Sequence, residues 1–142
     1  MIKFSPEDIT NEWELKNKIN KVHEYLFYNA TLQTQCEKYG EERSEYYEAN
    51  TDEEKLKELA DMYISACGVK RFSYAIGNDL CENVIKNYGY NKSKILLAVC
   101  EKMNKLQYRE WEEVNGYYKH KVYDIDAQTG EKEGNSKTDN KK

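Results

Sequence analysis

Turn-forming residues are scarce in this chain: one proline and seven glycines in 142 residues. An all-β sandwich uses many more, so the scarcity points to an all-α fold. Only two histidines are present, and the cysteines at 36, 67, 81 and 100 form no C-x-x-C pair, which argues against a zinc site. In a reducing compartment these cysteines read as small core residues. No apolar run approaches the roughly 20 residues that cross a bilayer, and the longest, Ile95 to Cys100, falls far short. The first residues, Met1 to Asp8, carry no signal-peptide core. The expectation is a cytoplasmic protein without a membrane partner. A basic excess is also missing: Lys+Arg total 22 against 26 Asp+Glu, a net charge of −4. That argues against a general nucleic-acid binder. It leaves room for a phosphate-bearing ligand, because a bound metal reverses the local sign of a site.

What the chain does contain is charge, at 34% of residues, and tyrosine, with 13 copies against 2 Trp and 3 Phe. The length suits one domain, expected over 1–125. Ser5-Pro6-Glu7-Asp8 reads as a capped turn at 6–9. Trp13, Leu15, Ile19, Val22, Leu26 and Phe27 recur at helical spacing and predict a helix over 11–29. A second helix is expected over 31–49 and a third from Asp52, with Gly68 marking either its end or a close helix contact. A fourth is expected over 71–88 and a fifth over 92–110. Asn115-Gly116, flanked by Trp111, Val114, Tyr117 and Tyr118, predicts an extended hairpin-like arm. The polar stretch 126–142 reads as a disordered tail. The architecture expected is a bundle of four to five helices.

The acids are arranged rather than scattered. Glu42 and Glu45 stand three apart on the second helix, and Glu58 and Asp61 three apart on the third. Each pair therefore shares one helix face. Glu58 and Asp61 lie among Leu59, Ala60, Met62, Tyr63 and Ile64, which favour burial. A short connection at 50–52 folds the two helices into an antiparallel hairpin, so the pairs can face each other. Facing carboxylates repel in a low dielectric, and a hard divalent cation with oxygen ligands relieves them. Spacing alone leaves two readings open: a metal site, or an ordinary charged hairpin.

The combined pattern resembles the all-α nucleoside triphosphate pyrophosphohydrolases, which include MazG-like enzymes, helical dUTP/dCTP pyrophosphatases and phosphoribosyl-ATP pyrophosphohydrolase. The motif Q-x-x-K-x-x-E-E-x-x-E-x-x-x-A is matched by Gln35, Lys38, Glu41, Glu42, Glu45 and Ala49, and E-L-A-D by Glu58 to Asp61. The resemblance spans roughly residues 20–108. It implies Mg²⁺, with Mn²⁺ as an alternative, held by Glu42, Glu45, Glu58 and Asp61, with Glu41 beside them in the catalytic group. It also implies cleavage of a (d)NTP to a monophosphate and pyrophosphate, in a homodimer or homotetramer. Its phage-type members would place the protein in the cytoplasm of an infected bacterium.

Lys38, one turn before Glu42, is open to two roles: phosphate contact or a surface ion pair. Phage-type members carry N-x-x-K on a later helix; here Lys105 takes the Lys position and Lys102 stands where Asn is expected. Lys102, Lys105 and Arg109 share roughly one face, either balancing a triphosphate or forming a solvated basic surface. Trp13, His23, Phe27 and Tyr63 are candidates to edge a nucleobase, or else core residues. Tyr46, Tyr47 and Tyr63 flank the proposed site, and Tyr117, Tyr118 and Tyr123 are expected to meet a neighbouring subunit. Two other readings stand beside the enzyme: a non-catalytic helical interaction protein with the same fold, and a phosphoribosyl-ATP pyrophosphohydrolase.

Overall fold

The structure, a computed structural model, describes residues 1–121, 123–125 and 132–135. Five α-helices dominate: α1 (Glu12–Leu26), α2 (Leu32–Glu48), α3 (Asp52–Lys70), α4 (Tyr74–Lys86) and α5 (Lys92–Leu106). A 3-10 turn, Pro6–Thr10, precedes them. Ser5 donates its backbone N–H to the Asp8 carboxylate at 2.8 Å, the acid half of the expected capped turn. Asn11, Thr31, Thr51 and Asn91 cap α1, α2, α3 and α5, each side-chain oxygen accepting a backbone N–H three residues on.

The core is built around α3. From Leu59 to Lys70 every residue except Asp61 is buried. A helix buried on nearly all sides must be surrounded, and α1, α2, α4 and α5 all pack against it. The three residues between α2 and α3 leave no room for a crossover, so the two helices run antiparallel. Gly68 is therefore a contact and not an end: a Cβ there would lie 2.0 Å from Oε1 of Gln35, near the start of α2. The inward face of α5 is Ile95, Leu96, Val99, Cys100, Met103 and Leu106. Cys67, Cys81 and Cys100 are buried as expected, whereas Cys36 is exposed on the outer face of α2.

Four helices stop short of their expected ends, α2 by one residue, α4 by two, α1 by three and α5 by four. α1 ends at Leu26 because Arg71, arriving from the end of α3, donates to the carbonyls of Phe27 at 2.9 Å and His23 at 3.3 Å. This satisfies acceptors that a further helical turn would otherwise use. α5 ends at Leu106, not near 110. The amide of Gln107 turns back to Met103 O and reaches Ile2 O. Asn104 likewise brackets Phe4, accepting its N–H and donating to its carbonyl, both at 2.8 Å. The N-terminal segment is thus held to α5 by side-chain amides that imitate strand pairing.

After α5 the chain forms an antiparallel hairpin, β1 (Glu110–Val114) and β2 (Tyr117–Lys121). Asn115 and Gly116 both have positive φ, 52° and 82°, as a two-residue type I′ turn requires. The arm docks on its own chain. Trp111 and Tyr118 pack on Phe27, and the Tyr118 hydroxyl accepts the Asn29 N–H at 3.1 Å. A second antiparallel pair joins β3 (Tyr123–Ile125) and β4 (Lys132–Asn135), the latter inside the stretch expected to be a disordered tail. The remainder of that stretch lies outside the described residues. Among the described residues, no helix is long and apolar enough to cross a membrane.

Candidate metal centre

The α2–α3 hairpin brings Glu42, Glu58 and Asp61 together. One carboxylate oxygen of each lies within 4.8 Å of those of the other two. The i, i+3 spacing on α3 turns Glu58 and Asp61 toward α2, and Glu42 meets them from the opposing face. Glu42 is only 6% exposed. Burial pushes its carboxyl pKa up to about 8, the negative charge of Asp61 adds to this, and Glu45 and Glu58 add further; Lys38 opposes them. The trio is therefore short of positive charge at its buried corner. The donor set is all carboxylate, the chemistry that suits Mg²⁺ or Mn²⁺ rather than a soft metal.

Glu45 was expected as a fourth ligand. Its charge is felt at Glu42, but its carboxylate is not in the close trio. The reason is the cylinder geometry of α2: Glu42 takes the buried position and Glu45 the partly open flank. Glu41 is rotated by about 100° from Glu42 and accepts a hydrogen bond from the Tyr117 hydroxyl on β2. Tyr117 thus ties the hairpin to α2 beside the trio. Its own pKa is raised, first by burial and then by that bond to Glu41.

Three cations border the carboxylates. Lys38 lies 3.3 Å from Glu42, one of the two roles its spacing left open. Lys102 comes across from α5 to within 3.1 Å of Asp61. Arg109, just past the end of α5, is half-buried; burial lowers its pKa while Asp61 and Glu42 pull it back up. Lys105 does not join them. It is exposed, because the neighbouring Met103 and Leu106 claim the inward face of α5. Sequence reasoning assigned Lys105 and treated Lys102 as a mismatch; the shared stripe of 102, 105 and 109 was the available signal for Lys102.

The aromatic candidates are mostly structural. Tyr63 is fully buried, and its hydroxyl donates to Glu12 at 2.6 Å. His23 and Phe27 are buried against each other, with ring centroids 5.5 Å apart. Tyr46 and Tyr47 form a cluster with Tyr88. Trp13 is 64% exposed and lines a groove of about 340 Å³ with Lys16, Lys70, Tyr74 and Asn78. None of the carboxylate trio contributes to that groove. No family model matches this chain, and no curated protein or solved structure matches it either.

Proposed function

We propose that this protein is a divalent-metal-dependent nucleoside triphosphate pyrophosphohydrolase, with Glu42, Glu58 and Asp61 holding Mg²⁺ or Mn²⁺. The single observation that carries the reading is the convergence of three carboxylates, one of them buried, at the positions the motif resemblance designates. The cation would supply charge neutralisation at the phosphate oxygens and would acidify water. The chain's own part is electrostatic and positional. The carboxylates fix where the positive charge sits, while Lys38, Lys102 and Arg109 place cations around it, where a polyphosphate would need them. Glu45, on the open flank, is the acid left to orient or accept a proton from attacking water. Glu41 is held by Tyr117 and so positions the hairpin against α2.

One observation favours a second reading. Lys38 and Lys102 already neutralise part of the trio, as they would in a non-catalytic helical interaction protein whose charged hairpin is purely structural. A screen for pyrophosphate release over all NTPs and dNTPs with Mg²⁺ separates the two. The enzyme reading expects release from at least one nucleotide, lost in Glu42→Gln and Asp61→Asn. Absence of release from every nucleotide would decide for the structural reading, and full activity in both variants would remove the carboxylate trio from the reaction.

A further inference from the structure

We propose that Lys102 and Lys38 are exchangeable counterions: they occupy the carboxylate trio when no metal is bound, and turn to the anion that a metal brings when one is. The inference rests on the metal-site reading above and adds a linkage between the two ligands. Lys102 Nζ stands 3.1 Å from Asp61 Oδ2, and Lys38 Nζ 3.3 Å from Glu42 Oε1. A divalent cation such as Mg²⁺ binds carboxylate oxygens at about 2.0–2.1 Å. An ammonium on Asp61 Oδ2 or Glu42 Oε1 competes with a dication for that oxygen and repels it. A metal that takes those oxygens displaces the lysines.

They are built to yield without leaving. Each head group ends a flexible four-carbon stem, and each side chain is 22% exposed, so an outward path to solvent is open. They approach from different elements, α2 and α5, and therefore flank the trio on separate sides. Swung outward on their flexible stems, both ammoniums would be free to meet the phosphate oxygens of an anion bound next to the metal. Arg109 differs: it is partly buried, and Asp61 and Glu42 act on it through their charge. It supplies standing positive charge and is not a member of the exchange.

Opposite signs are the consequence. Each lysine should weaken binding of a metal alone and strengthen binding of a metal–polyphosphate complex. The test measures Mn²⁺ binding by electron paramagnetic resonance, and binding of the Mn²⁺–tripolyphosphate complex by calorimetry, at physiological ionic strength. Lys102→Gln is expected to bind Mn²⁺ about tenfold more tightly, and the complex about tenfold more weakly, than the unmodified protein. Lys38→Gln should shift both the same way, and it keeps the test decisive should Lys102→Gln not fold. Lys86→Gln, at an exposed position near the end of α4, controls for a general change of charge and should move neither constant beyond about twofold. Unchanged constants, or shifts of one sign in both, would overturn the exchange while leaving the metal site standing. Failure of the folded unmodified protein and of both variants to bind Mn²⁺ would remove the metal reading, and the exchange with it.

Discussion

Glu12 and Glu42 are both carboxylates drawn into the helical bundle, and their surroundings push them in opposite directions. Burial alone would raise the Glu12 pKa. The Tyr63 hydroxyl at 2.6 Å, Lys92 at 2.9 Å and Lys16 at 3.8 Å outweigh it, and the net shift is downward. Glu42 is more deeply buried, has Lys38 beside it, and faces Asp61 and Glu58; its pKa rises to about 8. One node is a satisfied lock between α1, α3 and α5. The other gathers like charges and leaves them under-compensated. Burial is common to both, so burial does not make a site; the ratio of like to opposite charge does.

The largest expected effect tests the under-compensated node. Asp61→Asn or Glu42→Gln should lower kcat/KM for the nucleotide substrate by about 100-fold or more, while urea unfolding shows stability unchanged or slightly raised as repulsion falls. A cooperative loss of fold in either variant would make the trio a structural lock like Glu12, and the contrast would collapse.

Acid titration comes next, because His23 supplies a third kind of buried group, with no opposite charge at all. Burial, and then the positive charge of Arg71, depress its pKa from 6.5 to about 3. Its folded pKa is below its unfolded one, so the unfolded chain binds the proton first. Stability attributable to neutral His23 is fully present above pH 6.5 and falls as pH drops toward 3, by about 2 kcal/mol at pH 5. Glu12, also depressed, loses its contribution as pH falls through its folded pKa. Glu42, with its pKa raised to about 8, runs the other way and gains stability as pH falls toward 4.5. The His23 contribution is therefore read by difference: between pH 7 and 4 the urea midpoint of His23→Gln should fall less, or rise more, than that of the unmodified protein.

Tyr63→Phe sharpens the comparison from the satisfied side. It removes one donor to Glu12 without changing ring volume. The expected cost is about 1–2 kcal/mol in urea unfolding, with no selective loss of turnover. The smallest effect belongs to Lys86→Gln. Its pair with Glu82 is exposed on both sides, and such pairs contribute about 0.5 kcal/mol or less. A larger loss there would mean that surface pairs matter more in this bundle than the buried nodes suggest.

The helix pattern was readable because it is local. Apolar spacing such as Leu15, Ile19 and Val22 set which elements form, and Asn11, Thr31 and Asn91 fixed where three of them start. The Asn115-Gly116 turn was equally readable, since few dipeptides accept positive φ twice. Helix ends were less so. Arg71 ends α1 from 44 residues away, and Gln107 ends α5 by reaching Ile2 across 105. Neither partner is visible within a helical window. Among the site residues, Glu42, Glu58 and Asp61 could be paired from spacing and one short connection. That Lys102 and not Lys105 turns to Asp61 depended on the rotation of α5, which packing of Met103 and Leu106 sets.

By itself, then, the sequence determined the helical class, the hairpin of α2 and α3, and the acidic pairs that this hairpin opposes, because all of these follow from periodicity and short connections. Only the tertiary structure decided which acid is buried, which cations face it, and that the arm folds back onto Phe27 and Glu41. Those outcomes depend on how five helices share one core, and a helix's rotation about its axis is chosen by its neighbours and not by its own residues.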